Sequence, residues 1–248
     1  MKLLVDVGNS SIKWAYLDNG ELRDHGALNQ HGYQLNGLLG EAWGKLSKPT
    51  AVLVANVAGP MANHVINQLS QELFGITPWY LISSERVGGV SNGYRDPTRL
   101  GVDRWAALIG AFNRHGAPAC VIDCGTAITL DAVTGEGKHL GGLIAPGIAL
   151  MRHALVGATA AIADEGDDEE IGVFAQDTRA AVAGGALNAA VGLIERVSQR
   201  MLAELGEGAR CYVTGGEAPR VLPHLRDGFT LIPNLVLEGL AVIAEQRQ

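Results

Sequence analysis

The chain has 248 residues, of which 47% are apolar, 18% charged and 5% aromatic, with a formal net charge of −7. That length holds one large domain or two of roughly 120 residues, and the apolar content supplies a core, which excludes a disordered chain. No basic stripe is present, so no nucleic-acid partner is expected; no run of about 18 apolar residues occurs, so no membrane span is expected either. Leu3-Leu4-Val5 is cut short by Asp6, so the N-terminus does not read as a signal peptide. Cys120 and Cys124 lie in one expected strand, about 13 Å apart if extended and too far to bond. With an odd total of three cysteines, a reduced, cytoplasmic protein is expected. The 33 glycines, about twice the ordinary frequency of roughly 7%, suit tight turns and close approaches to a backbone or a ligand.

Leu3-Leu4-Val5-Asp6-Val7 is an apolar strand running into Gly8-Asn9-Ser10, and alternation resumes from Ile12 to Leu17 before the turn signal Asp18-Asn19-Gly20. This predicts a β-hairpin. A helix is expected from about Gln34 to Lys48, a buried strand at Ala51 to Ala55, a helix from Met61 to Phe74 and a strand near Trp79 to Ser83. Apolar residues at helical spacing from Pro97 to about His115 predict a further helix, with Asp96-Pro97 as its start signal. A boundary is expected near Gly116-Ala117-Pro118, dividing a domain of residues 1–116 from one of 117–248.

Beyond it the pattern repeats. Cys120-Val121-Ile122-Asp123-Cys124-Gly125-Thr126-Ala127 echoes the first hairpin, and Ile128 to Val133 runs to a turn at Thr134-Gly135-Glu136-Gly137. Two related halves are the economical explanation. The run Asp164-Glu165-Gly166-Asp167-Asp168-Glu169-Glu170 carries most of the net negative charge and reads as a solvated loop. A long helix should span Thr178 to Leu205, closely packed or interrupted at Gly184-Gly185. A strand at Arg210 to Thr214, a helix from Ala218, a short strand at Phe229 to Ile232 and a final helix from about Asn234 follow.

Several familiar sites are absent: no P-loop, no dinucleotide fingerprint, no zinc-spaced Cys/His set and no nucleophile elbow. The two Asp-x-Gly hairpins remain. A turn rich in Gly, Asn and Ser lets backbone N–H groups converge on phosphate oxygens, and Lys13 adds a cation. An Asp at each strand end suits a metal or its bound water, which phosphate chemistry uses.

The combination resembles the actin-like ATPase superfamily, which includes sugar and acetate kinases and whose members hold nucleotide between two similar halves. Four motifs narrow the resemblance to the type III pantothenate kinase family. They are Asp6-Val7-Gly8-Asn9-Ser10-Ser11-Ile12-Lys13, Gly101-Val102-Asp103-Arg104, Asp123-Cys124-Gly125-Thr126-Ala127-Ile128-Thr129 and Gly141-Gly142-Leu143-Ile144-Ala145-Pro146-Gly147, with Thr214-Gly215-Gly216 near the end. Glu217 stands where the family usually has Asp. The resemblance implies an α/β fold of duplicated actin-like (ribonuclease H-like) domains, each a mixed sheet opened by a β-hairpin and flanked by helices. It implies a phosphotransferase that phosphorylates pantothenate with ATP to 4′-phosphopantothenate, the first step of coenzyme A biosynthesis. By the same resemblance ATP binds Asp6, Val7, Gly8, Asn9, Ser10, Ser11, Ile12, Lys13 and Thr126, and pantothenate binds Tyr94, Gly101, Val102, Asp103, Arg104 and Thr178. Asp103 is the catalytic base, Asp123 binds a monovalent cation (potassium or ammonium), Mg²⁺ accompanies ATP, and the protein is a homodimer. Helix capping by Asp177 or Thr178 is an alternative reading of that position. Two other functions fit the same fold: a regulatory protein acting as a transcription accessory factor, and a sugar kinase. The first predicts decayed catalytic positions, and the second a longer chain.

Overall fold

A computed structural model describes residues 1–29, 35–158 and 173–247. The acidic run 164–170 and the expected start of the first helix at Gln34 lie outside the described residues. In chain order, β1 (Lys2–Val7), β2 (Ser11–Asp18) and β3 (Glu21–Asn29) precede α1 (Leu35–Trp43), β4 (Val52–Asn56), α2 (Pro60–Phe74) and β5 (Trp79–Tyr80). A two-strand ribbon, β6 (Arg86–Val87) and β7 (Val90–Ser91), is followed by a 3₁₀ turn Pro97–Arg99, α3 (Val102–Gly110) and a π turn Ala111–His115. Then come β8 (Ala119–Cys124), β9 (Ala127–Val133), β10 (His139–Pro146), α4 (Ile148–Ala158) and α5 (Thr178–Leu205). The chain ends with β11 (Arg210–Thr214), α6 (Ala218–Val221), β12 (Phe229–Leu231) and α7 (Leu235–Gln246).

Two five-stranded sheets share one plan: β3-β2-β1-β4-β5 in the first and β10-β9-β8-β11-β12 in the second. β1 pairs antiparallel with β2 and parallel with β4, while β8 pairs parallel with β11, and β11 with β12. The architecture is therefore α/β with two mixed sheets flanked by helices, and the sequence echo becomes a repeated strand order. The chain divides into two compact units. The first is Met1–Pro118 with Val133–Gly141 and Asn234–Gln248; the second is Ala119–Ala132 with Gly142–Pro233.

In the first unit, Leu3, Val5 and Val7 of β1 and Ile12, Trp14 and Tyr16 of β2 pack with Leu39, Trp43, Ile66 and Phe74 of the helices. Period-2 alternation on strands and helical spacing on α1 and α2 put these side chains on facing surfaces. The sequence reading lacked a third strand. β3 is polar and mostly exposed, an edge strand of which Leu28 packs on the core, and it closes a hairpin at Asn19-Gly20. Both turn residues have positive φ, 49° and 85°, as a two-residue turn of type I′ needs. Gly26 of β3 lies under Trp14, whose indole would be 2.2 Å from a Cβ there.

The helix expected over Pro97 to His115 is three pieces. Asp96 caps the 3₁₀ turn by accepting from the Thr98 N–H (3.0 Å), Leu100 and Gly101 are extended, and α3 starts at Val102. In the second unit α5 is unbroken through Gly184-Gly185 and buries Ala186, Leu187, Ala190 and Ile194 with Cys120, Ile122 and Val213 of the sheet. By length and composition alone α5 could cross a membrane, but its buried stripe makes it a core helix of this unit. α4 had no counterpart in the sequence reading, and the expected strand at Trp79 to Ser83 is only two residues long.

Candidate active site

The first unit carries the first Asp-x-Gly turn. Asp6 lies directly across from Lys13 in the β1–β2 ladder, so the carboxylate and the ammonium stem share the sheet face opposite α1 and α2. The Gly8 N–H donates to the Ser11 carbonyl (3.0 Å), which leaves Asn9 and Ser10 exposed at the tip. Val7 and Ile12 turn their side chains fully into the core, so only their backbone can reach a ligand. A Cβ on Gly8 would meet nothing closer than the Ser11 carbonyl at 3.4 Å, and its φ is not in the left-handed region. The turn itself thus tolerates a side chain at position 8, and what the glycine keeps clear is space outside the turn.

Asn56, which the sequence reading missed, ends β4 beside Val7. Its amide nitrogen donates to the Gly59 carbonyl (2.9 Å) and to Asn63 Oδ1 (2.6 Å), and its oxygen accepts from the Ala58 N–H (2.8 Å). That bracket fixes the loop from β4 into α2 next to the first turn. A strand ending in Asn ahead of Gly59-Pro60 was its signal in the sequence.

A second cluster in the same unit joins Tyr94, Asp103 and Arg104. Gly101 is the N-cap of α3, and a Cβ there would lie 2.6 Å from Asp103 Oδ1. Gly101 therefore leaves room for this carboxylate, whose Oδ1 accepts from the Arg104 N–H at 2.8 Å. Arg104 is only 7% exposed, and a buried guanidinium requires partners. Its Nη1 donates to the Tyr94 hydroxyl (2.8 Å), and its Cζ stands 5.6 Å from the Tyr94 ring centre. The Tyr94 ring stacks on fully buried His139, with centres 6.0 Å apart and planes 18° apart.

The second unit carries the other turn. The Gly125 N–H donates to the Ala127 carbonyl (3.0 Å) and the Gly147 N–H to the Thr126 carbonyl (2.9 Å), with the Thr126 side chain exposed. Thr214 of β11 pairs with Asp123 of β8, and Gly215 follows with φ 97°. A Cβ on Gly215 would lie 2.4 Å from Asp123 Oδ1 and 2.3 Å from the Cys124 carbonyl, which accepts from the Glu217 N–H at 2.9 Å. Burial first, then the charges of Asp123 and Glu217, push the Cys124 thiol up to about 12. The corner is therefore electronegative. A carboxylate among backbone carbonyl oxygens fits a hard, oxygen-loving cation. Among the described residues no cluster of three His, Cys, Asp or Glu could cage a metal. Mg²⁺, which keeps several waters and binds through one or two carboxylates plus phosphates, needs no such cage.

Thr178 opens α5 with an exposed side chain. The cap is Asp177, whose Oδ1 accepts from the Ala180 N–H at 2.8 Å. Thr178 is thus not the capping residue. Asp6 to Lys13 and the Tyr94–Asp103–Arg104 cluster fall in the first unit, and Asp123, Thr126 and Thr178 in the second.

Solved structures with this fold include a Campylobacter jejuni protein described as a conserved putative Baf family transcriptional activator. It is 22% identical over 98% of both chains, with a TM-score of 0.62. Another is the activator of the 2-hydroxyisocaproyl-CoA dehydratase from Clostridium difficile with bound ADPNP, 11% identical over 99% of this chain and 94% of that one, with a TM-score of 0.55. At those identities the likeness is one of fold, the duplicated actin-like α/β fold, and of fold alone. A family model described as Type III pantothenate kinase matches residues 2–200. Curated relatives of that name come from Nitrosococcus oceani (42% identical over 99% of this chain and 94% of the relative) and Alcanivorax borkumensis (34% over 100% of both). The chain belongs to the type III pantothenate kinase family.

Proposed function

We propose that the chain transfers the γ-phosphoryl group of ATP to the primary hydroxyl of pantothenate, giving 4′-phosphopantothenate and ADP in the first step towards coenzyme A. Family membership over the full length supports the activity, and the Tyr94–Asp103–Arg104 cluster is the observation that carries the chemistry. The hydroxyl oxygen forms the new P–O bond, the bond from the γ-phosphorus to the β,γ-bridging oxygen breaks, and the hydroxyl proton passes to Asp103. Phosphoryl transfer has a loose transition state, so a carboxylate need only orient the alcohol and take its proton late. The Arg104 N–H holds Asp103 Oδ1 in place (2.8 Å), and Arg104 brings positive charge for the pantothenate carboxylate or the moving phosphoryl group. Tyr94, Gly101, Val102 and Thr178 complete the pantothenate site. The Asp6-to-Lys13 turn binds ATP through backbone N–H groups, the Asn9 and Ser10 side chains and the Lys13 cation, with Thr126 as a further contact. Mg²⁺ bound with the nucleotide would neutralise phosphate charge, and the Asp6 carboxylate is the residue that would hold it or its bound water.

Asp123 is proposed to bind potassium or ammonium, supported by the electronegative corner and its carbonyl oxygens. The enzyme is proposed to be a cytoplasmic homodimer. Exposed apolar side chains at Leu143, Ile144, Leu150 and Phe174 support the dimer. A coupled ADP-release assay tests the activity. ADP formation that requires both pantothenate and ATP supports the reading, and ADP formation indifferent to pantothenate overturns it.

A further inference from the structure

His139 has no part in the proposed chemistry, yet it is fully buried beside residues that do. It opens β10, and the preceding residues run alongside the segment leading to Tyr94. The Ser91 N–H donates to the Gly137 carbonyl (2.8 Å), and Ser91 pairs with Lys138 in a parallel bridge. Gly93 fits flush against this strand, since a Cβ there would fall 2.1 Å from the His139 carbonyl oxygen. His139 Nδ1 accepts from the Gly93 N–H (3.4 Å), and the imidazole stacks on the Tyr94 ring.

Tyr94 lies in a bend without a strand or helix to fix it. Its orientation therefore depends on side-chain contacts: Asn92 Oδ1, which accepts the Tyr94 N–H at 3.0 Å, and the imidazole face. The hydroxyl at the far end of the ring in turn accepts from Arg104 Nη1 (2.8 Å). A tilt of the ring would swing that hydroxyl, and Arg104 Nη1 would lose this hydrogen bond, one that helps direct its guanidinium.

We infer that His139 is a positioning residue for pantothenate: it sets the plane of Tyr94 and, through the Tyr94 hydroxyl, the direction of Arg104. Only an imidazole does both jobs in this space. Phenylalanine stacks but cannot accept from Gly93, and asparagine accepts where Nδ1 does but cannot stack. The inference rests on the proposal that Tyr94 and Arg104 bind pantothenate.

The test is steady-state kinetics of His139→Ala, His139→Asn, His139→Phe and Tyr94→Phe, with KM measured separately for pantothenate and ATP on enzyme checked for a native melt. His139→Ala should raise the pantothenate KM about tenfold or more and leave the ATP KM within about twofold. His139→Asn and His139→Phe, each keeping half of the contact, should fall between it and the parent, and they carry the test if the alanine variant does not fold. Equal rises in both KM values, or an unchanged pantothenate KM in the folded variants, overturn the inference. If Tyr94→Phe also leaves the pantothenate KM unchanged, the underlying assignment of the pantothenate site fails; if Tyr94→Phe raises it and the His139 variants do not, only the role of His139 fails.

Discussion

At the scale of single residues, Asp103 and Gly8 give the sharpest expectations. Asp103→Asn preserves an oxygen that can accept from the Arg104 N–H (2.8 Å), so the fold should persist while kcat falls about 10²- to 10⁴-fold from loss of the proton acceptor. Parallel kcat measurements and melts check this; an undiminished kcat removes Asp103 from the mechanism. Gly8 separates turn geometry from ligand space. Because a Cβ at position 8 would have an ordinary contact at 3.4 Å, Gly8→Ala should melt close to the parent yet bind ATP about tenfold more weakly, with pantothenate affinity retained. Calorimetric titration with each ligand decides it, and normal ATP binding would make this turn purely structural. The types and spacing of these residues were legible in the sequence. Their burial was not. The full inward turn of Val7 and Ile12 and the capping by Asp177 rather than Thr178 follow from register and local hydrogen bonds that one-dimensional spacing cannot show. His139 gave no signal in the sequence, because its partners Gly93 and Tyr94 are about 46 positions away, whereas Asn56 acts on near neighbours and its place ahead of Gly59-Pro60 was legible.

At the scale of elements, the strongly periodic pieces were legible: β1, β2, α2, α5 and β11 fall where the pattern puts them. β3 was not, since a mostly exposed edge strand that packs only Leu28 on the core lacks the sustained alternation that marks a strand. α3 is shorter than its apolar spacing implies, because that spacing continues through Leu100, where the backbone is extended. Its packing on α7 is a contact the sequence could not announce. A Cβ on Gly239 would lie 1.8 Å from the Ala106 carbonyl, and one on Gly110 would lie 2.6 Å from that of Leu235. Gly239→Ala must therefore force the two helices apart, at a cost of about 2 kcal/mol or more. Urea denaturation should show a lowered midpoint; an unchanged one would contradict this packing. At the β8–β11 corner, Asp123→Ala should abolish activation by potassium while leaving a folded protein. In the parent, sodium should replace potassium poorly. Equal activity in both salts counts against a cation at Asp123.

At the scale of the whole molecule, the echo of two hairpins matured into two sheets with the same strand order. The duplication was therefore readable from short motifs alone, because strand-turn-strand chemistry is local. The division into units was less so. Residues 133–141 and the last helix belong with the first unit, and only long-range packing such as that of Gly137 against Gly89 and Phe112 decides this. Cys120, Cys124 and Cys211 are all buried as free thiols, and Cys124, pushed up to about 12 by burial and its acidic neighbours, stays protonated throughout the neutral range. A thiol reagent at neutral pH should leave the native enzyme active and label three cysteines only after unfolding; rapid inactivation would contradict that burial.

The reaction proposed for this chain is phosphorylation of pantothenate on its primary hydroxyl with Asp103 as the base. Phosphorus NMR of a complete reaction reports it most directly. The parent enzyme should convert the γ-phosphate signal of ATP into a phosphomonoester coupled to the pantoyl CH₂ protons, and Asp103→Asn at equal concentration should produce almost none in the same time. Inorganic phosphate as the sole new signal, or the same ester formed as fast by Asp103→Asn, would contradict the account.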